Sequence, residues 1–488
     1  MADSPLNVPG DVNVVTLEIK SVGGEIINIK NFFGEMNIYE DMYSNALHGT
    51  LLVSDSQNLI SKIPIVGTEL LNVDIVTPGF GEGYEERIKK TFVIYSIRGR
   101  SLNEDRDQTF MLYFCSAEAV DDNITRLSKR FEGTTDEIVE KIFVEYIEKP
   151  RYVTNAGNTE PKSDDMTPLV IADAPHKSKI AFVSTYWSPF KILNWLARRT
   201  IGAKNSAPSF LFYETTKCFY YTSLDNLIVA QLGNPDGASV FSQYKFQKKP
   251  TSPDAVGKPT LDDAESPPFK VSKPDLDNGF NIVEEIKFPK QIDILASQDM
   301  GHFASSVGTY DLIKKESFVW NHDYTFYFET IKHMENFKIS NGRAVFSQES
   351  LTSNMTYPFN VPRSVESKRF FQPIYSNNLW DDKDSIDLKP EEWLSQRQSI
   401  LADMNTLKIE ILVAGRTDAE VGKMINLLYP TVGDKVPTDD TNSLWDPLIS
   451  GTYMITAINH KITPIRHTMN MEIAKDSFRT PIVEIERQ

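Results

Sequence analysis

The C-terminal strands of this chain echo its N-terminal ones, and this constrains its fold more than any other feature. Thr91 to Ile97 reads TFVIYSI and Thr452 to Ile458 reads TYMITAI, an offset of 361 residues. Each is followed by a polar turn and a second strand, QTFMLYFCSA from Gln108 and HTMNMEIAKD from His467, at an offset of 359. Upstream, VGTELLNV at Val66 to Val73 matches VGKMINLL at Val421 to Leu428, at 355. GTLLVSD at Gly49 precedes the first of these as TLKIEILVAG at Thr406 precedes the second. Three segments in one order at near-constant spacing mark an internal duplication. Each is a short apolar or alternating run, the pattern of a strand. The sequence therefore predicts two related small antiparallel β-barrels, the second interrupted by an insertion. Val66, Gly67, Leu70 and Leu71 are the candidate equivalents of Val421, Gly422, Ile425 and Leu427; ordinary core packing is the competing reading for each.

A length of 488 residues suggests about three domains. Residues 1–118 carry six or seven strand-like runs and are assigned to the first barrel. The loop GFGEGYEE at Gly79 to Glu86 is glycine-rich, but its carboxylates and the lack of a following Lys and helix make it a hairpin tip, not a phosphate cradle. Residues 119–277 are assigned to an α+β middle domain. There, Ile138, Ile142, Phe143 and Tyr146 form a helical stripe behind a Thr134/Glu137 capping box. A second helix has Ser188 as N-cap, Pro189 at its first position, a stripe of Ile192, Leu193, Trp195 and Leu196, and Gly202 as terminator. An aromatic hairpin, SFLFYETTKCFYYTS, follows, and the domain closes in a Pro-rich linker from Gln247 to Asp277. The second barrel is assigned to 278–319 and 405–480, a peripheral insertion to 320–404 and a tail to 481–488. The fold class is mainly β with α+β parts.

The formal charge of −16 has the wrong sign for gripping nucleic acid phosphates. Cys115 and Cys218 lie in apolar segments and read as free buried thiols of a reducing compartment. The N-terminus lacks the basic and apolar regions of a secretion signal, and no apolar run reaches 18 residues, so a soluble product without stable membrane insertion is expected. The seven histidines show no zinc spacing, and no P-loop, Rossmann or GxSxG motif occurs. The acidic run Asp381, Asp382, Asp384 and Asp387 lacks the ligand alternation of a calcium loop. No cofactor, metal or catalytic residue is therefore assigned, and no enzyme is expected.

The order of these parts resembles the baseplate hub proteins of contractile-tailed bacteriophages of the T4 type, and the hub part of type VI secretion spike proteins. The resemblance is carried by IYEDMYSNALHGTLLVSDSQNLISKIPIVGTELL at Ile38 to Leu71 and by SPFKILNWLARRTIG with the aromatic hairpin. It is also carried by FNIVEEIKFPKQIDILASQDMGHFASSVGTYDLIKK at Phe280 to Lys315, with Gly301 and Tyr310-Asp311-Leu312 in matching positions. It implies a homotrimeric ring with two tube-like barrels per subunit, a symmetry adaptor between a sixfold tail tube and a threefold central spike. Its implied partners are the spike, tail tube and tube initiator proteins and baseplate wedge proteins. DNA would pass through the lumen without specific binding, and the protein would reside in the virion tail after assembly in the host cytoplasm. The chain is longer than the type protein and carries no spike text of its own. Two further readings stand beside it: a glycan- or peptidoglycan-binding or -degrading tail protein, motivated by the aromatic hairpin, and a peripheral wedge component.

Overall fold

The strict period of two in the N-terminal runs dictates a sheet with one buried face. LLNVDIV at Leu70–Val76, for example, alternates between half-buried and buried positions along its length. In the computed structural model, which describes residues 8–56, 65–78, 87–102, 107–148, 152–155, 158–161, 167–173, 175, 179–203, 207–232, 240–246, 279–312, 315–338, 367–374, 390–431 and 445–479, seven N-terminal strands form one sheet. They are β1 (Asn13–Lys20), β2 (Ile26–Asn28), β3 (Phe33–Asp41), β4 (His48–Asp55), β5 (Leu70–Val76), β6 (Arg87–Leu102) and β7 (Gln108–Ser116), in the order β2-β1-β5-β6-β7-β4-β3. Leu17, Leu51, Leu71, Ile75, Phe92, Leu112 and Phe114 pack together on its buried face. The sheet stays open, with no pairing of β1 to β3 among the described residues, so the first of the two expected barrels is an open sheet instead. Gly49 on β4 is required by this packing: a Cβ there would lie 2.1 Å from the Phe114 ring and 2.5 Å from the Asn37 carbonyl. Gly49→Ala is expected to cost about 1–3 kcal/mol through overpacking, read from the urea midpoint. A change below about 0.5 kcal/mol would show that the ring moves aside freely.

The middle region starts as the sequence suggests. Helix α1 (Thr135–Ile142) carries the Thr134/Glu137 capping box and widens at Phe143 into a π-helical turn. Helix α2 (Pro189–Ala197) is capped by the Ser188 hydroxyl, which accepts from the Lys191 amide. The aromatic hairpin is β8 (Phe210–Glu214) and β9 (Phe219–Ser223). Its rings pack on one another and on the helices. Phe212 stacks on Phe219 at 5.6 Å, and Phe210, Phe212, Phe219 and Tyr221 are all within the core. No open aromatic platform for a sugar results.

Six strands close the second barrel: β10 (Ser242–Phe246), β11 (Ile282–Lys290), β15 (Leu407–Ala414), β16 (Met424–Leu428), β17 (Gly451–Ile462) and β18 (His467–Lys475). Two assignments from sequence change. Ser242–Phe246, expected in the middle domain, is the barrel's closing strand, paired in parallel with both β11 and β16. Parallel partners need long connections, so this pairing leaves no hairpin signal in the sequence. Conversely, of the stretch 278–319 only Ile282–Lys290 enters the barrel ladder. β12 (Ala304–Asp311) instead lies in a separate sheet, antiparallel to β13 (Glu316–Asp323) on one side and parallel to β14 (Lys368–Ile374) on the other. Helix α3 (Pro390–Met404) leads from the insertion back to the barrel; Tyr324 Oη donates to Asp403 of α3 at 2.6 Å within the insertion, and His333 bonds Asp476, just past β18, at 2.8 Å, tying the insertion to the barrel. The acidic loop at Gly79 to Glu86, Asp381 to Asp387, the linker Gln247 to Asp277 and the tail 481–488 lie outside the described residues. Among those described, no helix is long and apolar enough to cross a membrane.

The duplication is present in the hydrogen-bond register. On β6 and β7, Ile94 pairs with Phe114 and Ser96 with Tyr113, so Tyr95 bulges. On β17 and β18, Ile455 pairs with Ile473 and Ala457 with Glu472, so Thr456 bulges at the same place. A second bulge matches too: Gly34 between the Phe33–Val53 and Glu35–Leu52 pairs, and Glu284 between Val283–Val413 and Glu285–Leu412. A bulge bends and twists its strand, so matched bulges give two sheets the same curvature.

Candidate functional site

The two sheets are joined edge to edge. β3 pairs antiparallel with β17, Ile38 opposite His460 and Met36 opposite Ile462, giving one continuous 13-stranded sheet. The turn of the aromatic hairpin is driven into this joint. Glu214, at the end of β8, accepts from the Leu47 amide at 2.8 Å and the Ser116 hydroxyl at 2.6 Å, and pairs with Lys90. Lys90 also donates to Thr167. Two residues on, the Thr216 amide donates to Glu40 on β3 at 3.0 Å, and Lys217 pairs with Glu420 at 2.7 Å. Glu40 also accepts from the Val421 amide. One hairpin turn thus holds polar groups of both sheets.

The electrostatics follow from burial. Glu40 is raised to about 7, first by desolvation and then by the nearby Glu420 carboxylate. His460 is lowered to about 3 by burial and by Lys217, and His467 is held well below its ordinary value by burial and by His460. His460 Nδ1 and His467 Nε2 share a hydrogen bond at 3.2 Å between neutral rings. Because His460 is neutral, its 3.8 Å approach to Glu40 is not an ion pair. Burial also pushes the Cys115 and Cys218 thiols up to about 11. Among the described residues no three His, Cys, Asp or Glu side chains converge as metal ligands.

The corners singled out from sequence adopt matching backbones in unlike surroundings. The Thr68 amide donates to Ile94 and the Ile94 amide to Glu69; the Gly422 amide donates to Ile455 and the Ile455 amide to Lys423. Gly422 therefore stands in the place of Thr68, whose φ of 130° is a strained conformation for a residue with a Cβ, and not in that of Gly67. The strands agree: Leu71 opposite Phe92 corresponds to Ile425 opposite Tyr453, and Leu70 to Met424. The offset is 354, one less than the letters suggest, because aligning the two glycines costs one residue of register. Val421 and Gly422 are covered by the middle region. Gln231 bonds the Gly422 carbonyl at 2.9 Å and the Met424 amide at 2.6 Å, and a Cβ on Gly422 would meet Tyr213 Oη at 2.7 Å. Val66 is 76 % exposed, and the Glu69 carboxylate caps the Val66 and Gly67 amides. The first corner is open and the second is closed.

No family model matches the chain, and no curated protein does. Solved structures do. Its structural neighbours are phage tail and type VI secretion proteins. A tail protein from Neisseria meningitidis MC58 is similar at a TM-score of 0.48 and 8% identity, over 94% of this chain and 96% of that one. The 43 kDa tail protein of prophage MuSo2 from Shewanella oneidensis follows at 0.45 and 10%, over 95% and 99%. A component of the type VI secretion system of E. coli is similar at 0.39 and 8%, over 96% and 79%.

The charged groups of the joint were missed by sequence reasoning. Nothing in the sequence marks Lys90 as buried; for Glu214 the one available signal is that it ends the otherwise apolar run FLFYE. His460 and Glu40 each occupy an inward position of an alternating strand.

Proposed function

We propose that the chain is a structural hub subunit of a phage tail baseplate, three copies of which form a ring. The observation that carries this reading is an open sheet and a closed barrel that share a strand order and two matched bulges, joined through β3 and β17. Three such chains supply six similar β units, which lets one ring meet a sixfold tube on one side and a threefold spike on the other. In this reading the open corner at Val66 faces a neighbouring subunit, while its closed counterpart at Val421 is satisfied within the chain. The separate β12–β13–β14 sheet, with Phe318, Trp320 and Phe371 exposed, is the docking face for a peripheral wedge protein. The role has no catalytic step. The net charge of −16 suits a channel through which DNA slides without sticking, the protein lying in the virion tail after assembly in the host cytoplasm. The test is the native mass of the purified chain, alone and with its spike, followed by class averages. A particle of three times the 55.4 kDa chain with six peripheral densities and an open centre is expected. A chain that stays monomeric with the spike present overturns the proposal.

A further inference from the structure

A cavity of about 420 Å³ opens where the first sheet, the middle region and the insertion meet. Met42 and Tyr43, just past β3, form one wall, Asn194 and Arg198 a second, and Trp393 and Arg397 of α3 a third. The walls mix apolar and polar surface, and arginines gather around them. Arg397 is part-buried, and its Nη1 donates to the carbonyls of Phe210 at 2.8 Å, Pro208 at 3.0 Å and Ala197 at 3.4 Å. Its Nε and Nη2 have no acceptor among the described residues. Arg199 stacks on Trp195 at 4.0 Å and reaches Trp393 at 5.1 Å. Its Nε is buried without a partner.

None of Arg198, Arg199 and Arg397 has a carboxylate partner among the described residues, in a chain with 67 acidic side chains. Backbone carbonyls bring partial charge only, so the guanidinium charge here is left uncompensated. Burial and the neighbouring Arg198 lower both Arg199 and Arg397 to about 10, the response of a site lacking an anion. The Arg397 fork and the Trp393 ring line the same cavity, a pairing that matches a carboxylate on an apolar or aromatic body.

We propose that this cavity binds such a carboxylate, its oxygens held by Arg397 and Arg198 and its body against Trp393. The carboxylate comes either from a free organic acid or from an acidic side chain in an apolar segment of another chain, and the experiment separates the two. Calorimetry on the full chain compares 2-naphthoate with its uncharged analogue 2-naphthamide, and acetyl-Phe-Glu-Phe-amide with acetyl-Phe-Gln-Phe-amide. In at least one pair the acid is expected to bind about tenfold or more tighter than the amide, the strength of a charge-assisted bidentate contact. Preference in the naphthyl pair identifies a free acid, and preference in the peptide pair alone identifies a chain-borne one. Arg397→Lys, which keeps the charge but not the fork, is expected to remove the preference. Arg198→Gln alters an exposed side chain and is expected to weaken acid binding about threefold or more without touching the fold, so it carries the test if the first variant unfolds. Equal binding of acid and amide in both pairs, or a preference that survives Arg198→Gln and a folded Arg397→Lys, overturns the proposal.

Discussion

Replacing Lys90 by Met is expected to destabilise the protein by about 3–5 kcal/mol, the cost of leaving a buried charge without its partner. The Lys90 side chain is 3% exposed and that of Glu214 is fully buried. Glu214 would keep its bonds from Leu47 and Ser116 but lose the cation that pairs with it, and Thr167 would lose its donor. Burial already pushes the Glu214 pKa upward against the pull of Lys90. Without Lys90 it rises further, so the variant recovers by taking up a proton: its deficit is smallest at acid pH and grows as pH rises through the new value. Lys90→Met combined with Glu214→Gln removes the charge altogether and is expected to regain much of the loss. Urea unfolding of the three proteins at pH 5 and 8 checks this. A single-variant loss under about 1 kcal/mol would mean that water reaches Glu214, and that the joint is wetter than its packing implies.

The second large effect is proton-linked. His460 titrates near 6.5 in the unfolded chain and near 3 in the folded one, so below pH 6.5 the unfolded state takes up a proton that the folded state refuses. Stability from this group is therefore full above 6.5 and drains at about 1.4 kcal/mol per pH unit down to 3. Glutamine does not titrate. The stability of His460→Gln relative to the parent is expected to improve by about 2 kcal/mol between pH 7 and pH 5, whatever its absolute cost at pH 7. Glu40, with its raised pKa, gains stability as pH falls from 7 toward 4.5, but it does so in both proteins and cancels in the comparison. A pH-independent difference would show that His460 charges in the folded state and pairs with Glu40.

The repeat was legible because strands keep their inward letters even where sequence identity is gone. TFVIYSI and TYMITAI place Phe92 and Tyr453, then Ile94 and Ile455, on the same inner rows, and the offset of 361 carries over to the bulges at Tyr95 and Thr456. The corner was read one residue off because two glycines attracted the alignment, although it is Thr68 that takes the place of Gly422. The N-caps of α1 and α2 were legible because capping is local chemistry, whereas the expected terminator Gly202 lies past the end of α2, which stops at Ala197 with Arg198 as its C-cap. Ser242–Phe246 was not, since five ordinary residues with parallel partners 37 and 183 positions away carry no periodic signal. Nor were Lys90, Glu40 and His460, because a charge in a strand declares its burial only once the opposing sheet is in place.

The joint of β3 with β17 also sets an order of events during synthesis. Ile38 leaves the ribosome long before His460, and at 5–20 residues per second the 421 intervening residues take roughly 20–80 s. Through that interval β3 offers an unpaired edge from Met36 to Asp41, open to pairing with any other chain nearby. The nascent protein is thus most exposed to misassembly late in translation, when all but its last strands have already formed.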